Sequence, residues 1–248
     1  RAMNRLPGKV PGPRKRVSFA VAMALIAMPP ALVGLGGIVG GAGQALSLLL
    51  PWLPSTWATG LVAAATIALL LTGSYKALER VMLVLVLSFS AATLICAILM
   101  QFTEYGVTAA DLATGFSFDF PFVYLVLALS VYGYTGVNSS ETSAYTYWCI
   151  EKGYPNFIGR PDAPGWEARA KGWIKVLQTD VWVTLLILTC ATVPFYVLGA
   201  GVLHALGEQP TGLETISVLS NMFTETLGPW AVWLFGIGAF CILFSTML

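Results

Sequence analysis

The sequence predicts an all-α polytopic membrane protein with about six transmembrane helices, and three observations carry that reading. Hydrophobic residues make up 57% of the chain and charged residues only 10%, far below the ~25% charge of soluble domains. The apolar residues gather into runs near 18–50, 57–73, 81–101, 121–150, 176–204 and 229–248, and a spanning helix needs roughly 20 such residues at about 1.5 Å each. Finally, all thirteen Lys and Arg residues fall in alternate gaps between these runs. Arg1, Arg5, Lys9, Arg14, Lys15 and Arg16 precede the first run, Lys76 and Arg80 lie between the second and third, and Lys152, Arg160, Arg169, Lys171 and Lys175 between the fourth and fifth. The gaps at 102–120 and 205–228 hold only acids: Glu104, Asp111 and Asp119, then Glu208, Glu214 and Glu225. Basic residues beside span ends resist translocation. A multi-pass protein of the cytoplasmic (inner) membrane with a cytoplasmic N-terminus is therefore expected, with residues 1–16 as a basic segment and 17–248 as a single transmembrane domain.

The first run contains Pro29-Pro30 and continues apolar through Leu50. A cleaved leader would be followed by a soluble region, so one long helix kinked or started at the proline pair is expected. Pro51-Trp-Leu-Pro54 turns it into the second run as a tight hairpin. Gly36, Gly37, Gly40 and Gly41 place small residues four apart, a pattern for close helix–helix packing; no strand precedes them, which excludes a nucleotide-binding loop. Trp52, Trp57, Trp173, Trp182 and Trp230 stand near span ends, where amphipathic rings anchor at the interface. Residues 151–175 form the one sizeable cytoplasmic loop, too short for a separate domain. The chain begins at Arg and stops inside an apolar run at Leu248, so it reads as a piece of a larger protein. Cys96, Cys149, Cys190 and Cys241 have no close pair and read as small buried hydrophobes. A net charge of +1 argues against a nucleic-acid partner. The single histidine, His204, is read as interfacial, with a proton relay as the alternative; neither a metal-hydrolase motif nor a G-x-S-x-G elbow is present, so no enzyme is predicted.

The fourth run differs from the others. Its middle reads Tyr132-Gly133-Tyr134-Thr135-Gly136-Val137-Asn138-Ser139-Ser140-Glu141-Thr142. Two glycines and a polar cluster make a poor continuous span, and Asn138 followed by Glu141 is a capping-box pattern, a helix start that belongs in water. A discontinuous helix explains both, with an outer half near 121–133, an inner half near 139–150 and each half about 18–20 Å long. Unwound backbone at that depth persists only where it lines a cavity, and transporters use such breaks to bind ions. The alternative is a glycine-kinked helix whose polar residues bond to neighbours. Glu141, which costs roughly 2.5–3.5 kcal/mol at a span centre, reads either as the cap of the inner half or as a proton or cation site. Asp180 opens the fifth span, either interfacial or paired across an inner pathway.

With these residues in hand, the sequence resembles the natural resistance-associated macrophage protein (Nramp) family of divalent-metal transporters. The resemblance lies in Tyr75-Lys-Ala-Leu-Glu79, Gly133-x-Thr135, Asp180, Gly201-Val-Leu-His204 and Leu234-Phe-Gly-Ile-Gly238, in that order. It implies a LeuT-like inverted-repeat transporter core, of which the six spans would be the family's third to eighth helices. It also implies a metal site at the break. The family's backbone-carbonyl contact matches Tyr134, and its Met-Pro-His matches Val137-Asn138-Ser139, so Tyr134, Val137, Asn138 and Ser139 become metal-site residues. Thr135, Gly136, Ser140, Glu141 and Asp180 are assigned to the transport pathway. The thioether of the family is thereby replaced, and oxygen donors suit Mg²⁺ or Mn²⁺ better than softer metals.

The resulting expectation is a secondary-active transporter of a divalent cation working by alternating access, with proton coupling left open. The cation is substrate, no cofactor is expected, and the partners are membrane lipid and the metal ion. The competing readings are an amino-acid or organic-cation symporter on the same fold and a non-transporting membrane scaffold or sensor.

Overall fold

A computed structural model describes residues 19–72, 76–117, 121–126, 128–129, 145, 147–150 and 153–247. Among these residues every regular element is helical. α1 covers Phe19–Leu49, α2 Ser55–Thr72, α3 Lys76–Met100 and α4 Ala109–Phe116. After a 3₁₀ turn at Phe122–Tyr124 come α5, Tyr154–Ile158, and α6, Trp166–Leu198. α6 passes through a π turn, Gly199–Leu203, into the short α7, His204–Leu206. α8, Thr215–Leu227, and α9, Ala231–Met247, complete the chain.

Five of the six expected spans correspond to described helices. Met28–Leu49, Arg80–Met100 and Trp166–Leu206 are long and apolar enough to cross a membrane, whereas Ser55–Leu71 and Ala231–Met247 are shorter apolar helices. At 17 residues α9 is about 26 Å long, the short end of the spanning range. Of the fourth run only its ends are described, so the expected break lies outside the described residues. α1 starts ten residues before Pro29 and runs through the proline pair rather than starting there. The fifth span likewise begins earlier than its apolar run: α6 starts at Trp166, so the second half of the expected 151–175 loop is helix.

The chain divides into two compact units, Arg1–Val33 with Phe120–Leu188, and Gly34–Asp119 with Thr189–Leu248. The second unit holds a close-packed core. Phe89 of α3, Phe223 of α8 and Phe235 of α9 form a triangle with ring centroids 5.5, 6.0 and 5.2 Å apart, the offset and edge-on spacing that aromatic quadrupoles favour. Cys96, Met100, Leu198, Val202 and Met222 are fully buried around it. A glycine is required at 238, because a Cβ there would overlap the Phe89 ring. Ala42, Val62, Met82, Cys241 and Phe244 make a second cluster in the same unit.

α8 is the largest departure from the six-span reading, which gives the 205–228 gap no helix. Ile216, Ser220 and Phe223 recur at helical spacing and are buried together with Met222. Gln44 of α1 pins the start of this segment, its amide donating to the Gly212 carbonyl at 3.3 Å and accepting from the Ile216 N–H at 3.2 Å. Asn221 donates to Glu208 at 2.7 Å. In the other acidic gap, Thr108 and Asp111 form a reciprocal capping box at the start of α4, and the Thr108 hydroxyl and N–H hold the Asp111 carboxyl below the usual range.

The glycine-run expectation of close packing holds for part of the run. A Cβ on Gly36, Gly37 or Gly40 would meet nothing within 4 Å. Close approach occurs at Gly41, 3.2 Å from Leu243, and at Gly43, which continues the run and where a Cβ would lie 2.7 Å from the Thr59 backbone nitrogen. The buried-cysteine expectation holds for Cys96 and Cys241 but not for Cys190, which is exposed, or Cys149, which is half-buried.

Much apolar surface faces outward. On α6, Val181, Trp182, Val183 and Leu185 through Leu188 are all exposed. These consecutive residues cover every face of the helix, and in water such an apolar surface would far exceed the patch a soluble monomer tolerates; it fits a segment surrounded by lipid or by other spans. Trp52, Trp57, Trp182 and Trp230 project outward as well.

Candidate functional site

Nine residues are singled out by the sequence. Tyr134, Thr135, Gly136, Val137, Asn138, Ser139, Ser140 and Glu141 lie outside the described residues. Asp180 lies within them, on α6, four residues beyond the apolar start at Val176. Its side chain is exposed, and its Oδ2 accepts a hydrogen bond from the Tyr145 hydroxyl at 2.8 Å. A bond of this kind, to an ionised acceptor, is short and strong. It ties the carboxy-terminal end of the fourth run to the start of the fifth and leaves the other carboxylate oxygen outside that bond.

Tyr145, Trp148, Cys149, Tyr154 and Asp180 together line a cavity of about 90 Å³ in the first unit. Tyr145 and Trp148 meet edge to face at 6.4 Å, which sets the Tyr145 ring so that its hydroxyl reaches Asp180. The cavity presents one carboxylate, two phenols, one thiol and an indole. With a single charged group, it is not a cage for a metal ion. Among the described residues no group of three or more His, Cys, Asp or Glu side chains could hold a metal ion.

Tyr145 was missed by the sequence reading. Its position in the Tyr145-Thr-Tyr147-Trp148 aromatic cluster marks a span end, yet nothing in the order of residues points to a partner thirty-five positions away. His204 is exposed, at the end of the π turn that Gly199, Ala200 and Gly201 open. The turn is possible because Gly201 faces Met100 and the Tyr105 carbonyl, where a Cβ would come within 2.7–2.8 Å. The second unit has a larger cavity, about 230 Å³, walled by Phe89, Ser90, Thr93, Ala191, Thr192, Phe195 and Ile242. The Ser90 and Thr93 hydroxyls already donate to the Val86 and Phe89 carbonyls of their own helix. With no charged wall it offers little to a cation.

Long apolar helices define a multi-pass helical membrane protein. The family model described as natural resistance-associated macrophage protein-like matches residues 12–248. The chain therefore belongs to the Nramp family, a family of divalent-metal transporters with the LeuT fold. No curated protein and no solved structure matches this chain.

Proposed function

We propose that the chain forms part of a secondary-active transporter that moves a Mg²⁺- or Mn²⁺-like divalent cation across the cytoplasmic membrane by alternating access. The observation that carries this reading is the family match over residues 12–248, a range that includes the polar 133–142 segment. In the proposed site the Tyr134 carbonyl, the Asn138 amide and the Ser139 hydroxyl supply oxygen ligands. Val137 stands where the family's methionine sulfur would be, so the donor set is hard and favours Mg²⁺ or Mn²⁺. Thr135, Gly136 and Ser140 complete the unwound link. Glu141 caps the inner half-helix, and Asp180, steadied by Tyr145, attracts the cation on the cytoplasmic side. Proton coupling would run through the same two acids. The positive-inside bias of the basic gaps supports a cytoplasmic N-terminus and a cytoplasmic 151–175 segment.

The test is uptake of Mg²⁺ and Mn²⁺ into vesicles reconstituted with the full-length protein. Saturable uptake is expected, falling tenfold or more when Asn138→Ala and Ser139→Ala are combined. Flux unaffected by the pair would count heavily against the site. Saturable amino-acid uptake without metal dependence would replace the proposal with the symporter reading, and absence of any flux with a scaffold or sensor.

A further inference from the structure

The segment between the fourth and fifth runs is a built module. α6 starts at Trp166, while its apolar stretch starts at Val176, so about 15 Å of helix stands proud of the apolar wall. Arg169 and Trp173 are four residues apart and share one face of that helix. The Arg169 Nε donates to the Ile158 carbonyl at 2.9 Å, and its Nη1 donates to the Pro164 carbonyl at 2.9 Å. Both ends of the 159–164 loop are thus clamped to one guanidinium. Gly159 and Gly165, at φ +79° and +73°, allow the reversals that bring those carbonyls to it. One turn further along, Trp173 packs against Tyr154 at 4.6 Å and Phe157 at 5.5 Å. α5 is therefore held at the level of Trp173, about 4–5 Å along the helix from Val176.

That level is the headgroup layer of a bilayer whose hydrocarbon begins at Val176. Three aromatic rings are gathered there, and Phe157 keeps 62% of its surface exposed and Ile174 54%. Lys175 lies at the same depth, and Lys171, bridged to Glu167 at 2.7 Å, one turn outward. Across 153–175 the chain carries Arg160, Arg169, Lys171 and Lys175 against Asp162 and Glu167. Lys171 is paired with Glu167 and Arg169 is committed to the loop carbonyls, which leaves Arg160 and Lys175 as the free cations against Asp162.

We propose that residues 154–175 form a membrane-surface module that seats the Tyr154–Phe157–Trp173 cluster in the headgroup layer and binds anionic phospholipid headgroups through Arg160 and Lys175. The module rests on its facing the cytoplasmic leaflet but not on the identity of the transported solute. A single cation near an anionic surface strengthens association about fivefold, so losing two should weaken it by more than tenfold.

Depth measurement of a nitroxide on Asn156→Cys, with Cys149 and Cys190 replaced by alanine, tests this in the full-length protein. Vesicles of phosphatidylcholine alone are compared with vesicles containing one-third phosphatidylglycerol. The label should be shielded from an aqueous nickel chelate and reached by dissolved oxygen in the anionic vesicles. It should be less shielded in the zwitterionic vesicles, and in anionic ones once Arg160→Glu and Lys175→Glu are introduced together. A label as open to the chelate as a nitroxide free in the aqueous phase would overturn the proposal. So would shielding that ignores both lipid charge and the double reversal, because such shielding would reflect protein contact instead.

Discussion

Phe223→Ala is expected to undock α8 and to destabilise the second unit by about 3–5 kcal/mol, the range for truncating a buried phenylalanine. Phe223 is fully buried and is the one member of the aromatic triangle contributed by a segment too short and too polar to span a membrane. Its loss would leave Phe89 and Phe235 facing a cavity that helices anchored in a bilayer cannot close. The remaining ties of α8, Gln44 to Gly212 and Ile216 and Asn221 to Glu208, are hydrogen bonds with exposed or half-buried partners. The neutral bonds contribute about 0.5–1.5 kcal/mol each and the one to the Glu208 carboxylate about 1.5–3, too little to hold the helix alone. Lowered thermal stability of the purified full-length protein and new proteolytic cuts between 207 and 229 are the readouts. Phe223→Leu, which keeps most of the volume, should lose less than about 1.5 kcal/mol. Equal stability of wild type and Phe223→Ala would show that α8 is not held through this core.

Asp180→Asn is expected to reduce divalent-cation uptake at subsaturating concentration by on the order of thirtyfold. Two unit charges about 4 Å apart in water interact by about 1 kcal/mol, a dication by about twice that, and each 1.4 kcal/mol is tenfold in occupancy. Asp180 lies four residues beyond the apolar start at Val176, where the dielectric is lower than that of water, so the aqueous value sets the smallest effect expected. Tyr145→Phe leaves the charge and removes only the 2.8 Å hydrogen bond, so its effect should be several-fold smaller. Both variants keep the helical core, which lies in the other unit. Unchanged uptake in Asp180→Asn would remove Asp180 from the pathway.

The parts of the fold legible in the sequence are those set by local composition. Apolar length alone places α1, α2, α3, α6 and α9, because a membrane asks for little more than about 20 apolar residues. α8 was hidden because Pro210, Gly212, Gly228 and Pro229 punctuate the gap as a loop, while the partners of Ile216 and Phe223 lie far away in the chain. Glycine spacing shows where close approach is permitted, not where it happens. Gly36, Gly37 and Gly40 fit the motif yet stand open, whereas Gly43 and Gly238 carry the tight contacts because Thr59 and Phe89 face them. Of the proposed site, Asp180 was legible from its place at the head of a span. Tyr145 was not, since a single hydrogen bond between distant segments leaves no periodic trace.

In the proposed transporter the fourth span is interrupted near mid-membrane, and the interruption lines a water-filled cation site. Thiol labelling of Gly136→Cys and Ser140→Cys in the full-length protein, with Cys149 and Cys190 replaced by alanine, probes this interruption. Both positions should react with a small membrane-impermeant methanethiosulfonate, and saturating Mg²⁺ or Mn²⁺ should slow the reaction tenfold or more. Thiols that stay unreactive at both positions, or react at a rate no divalent cation changes, would contradict it.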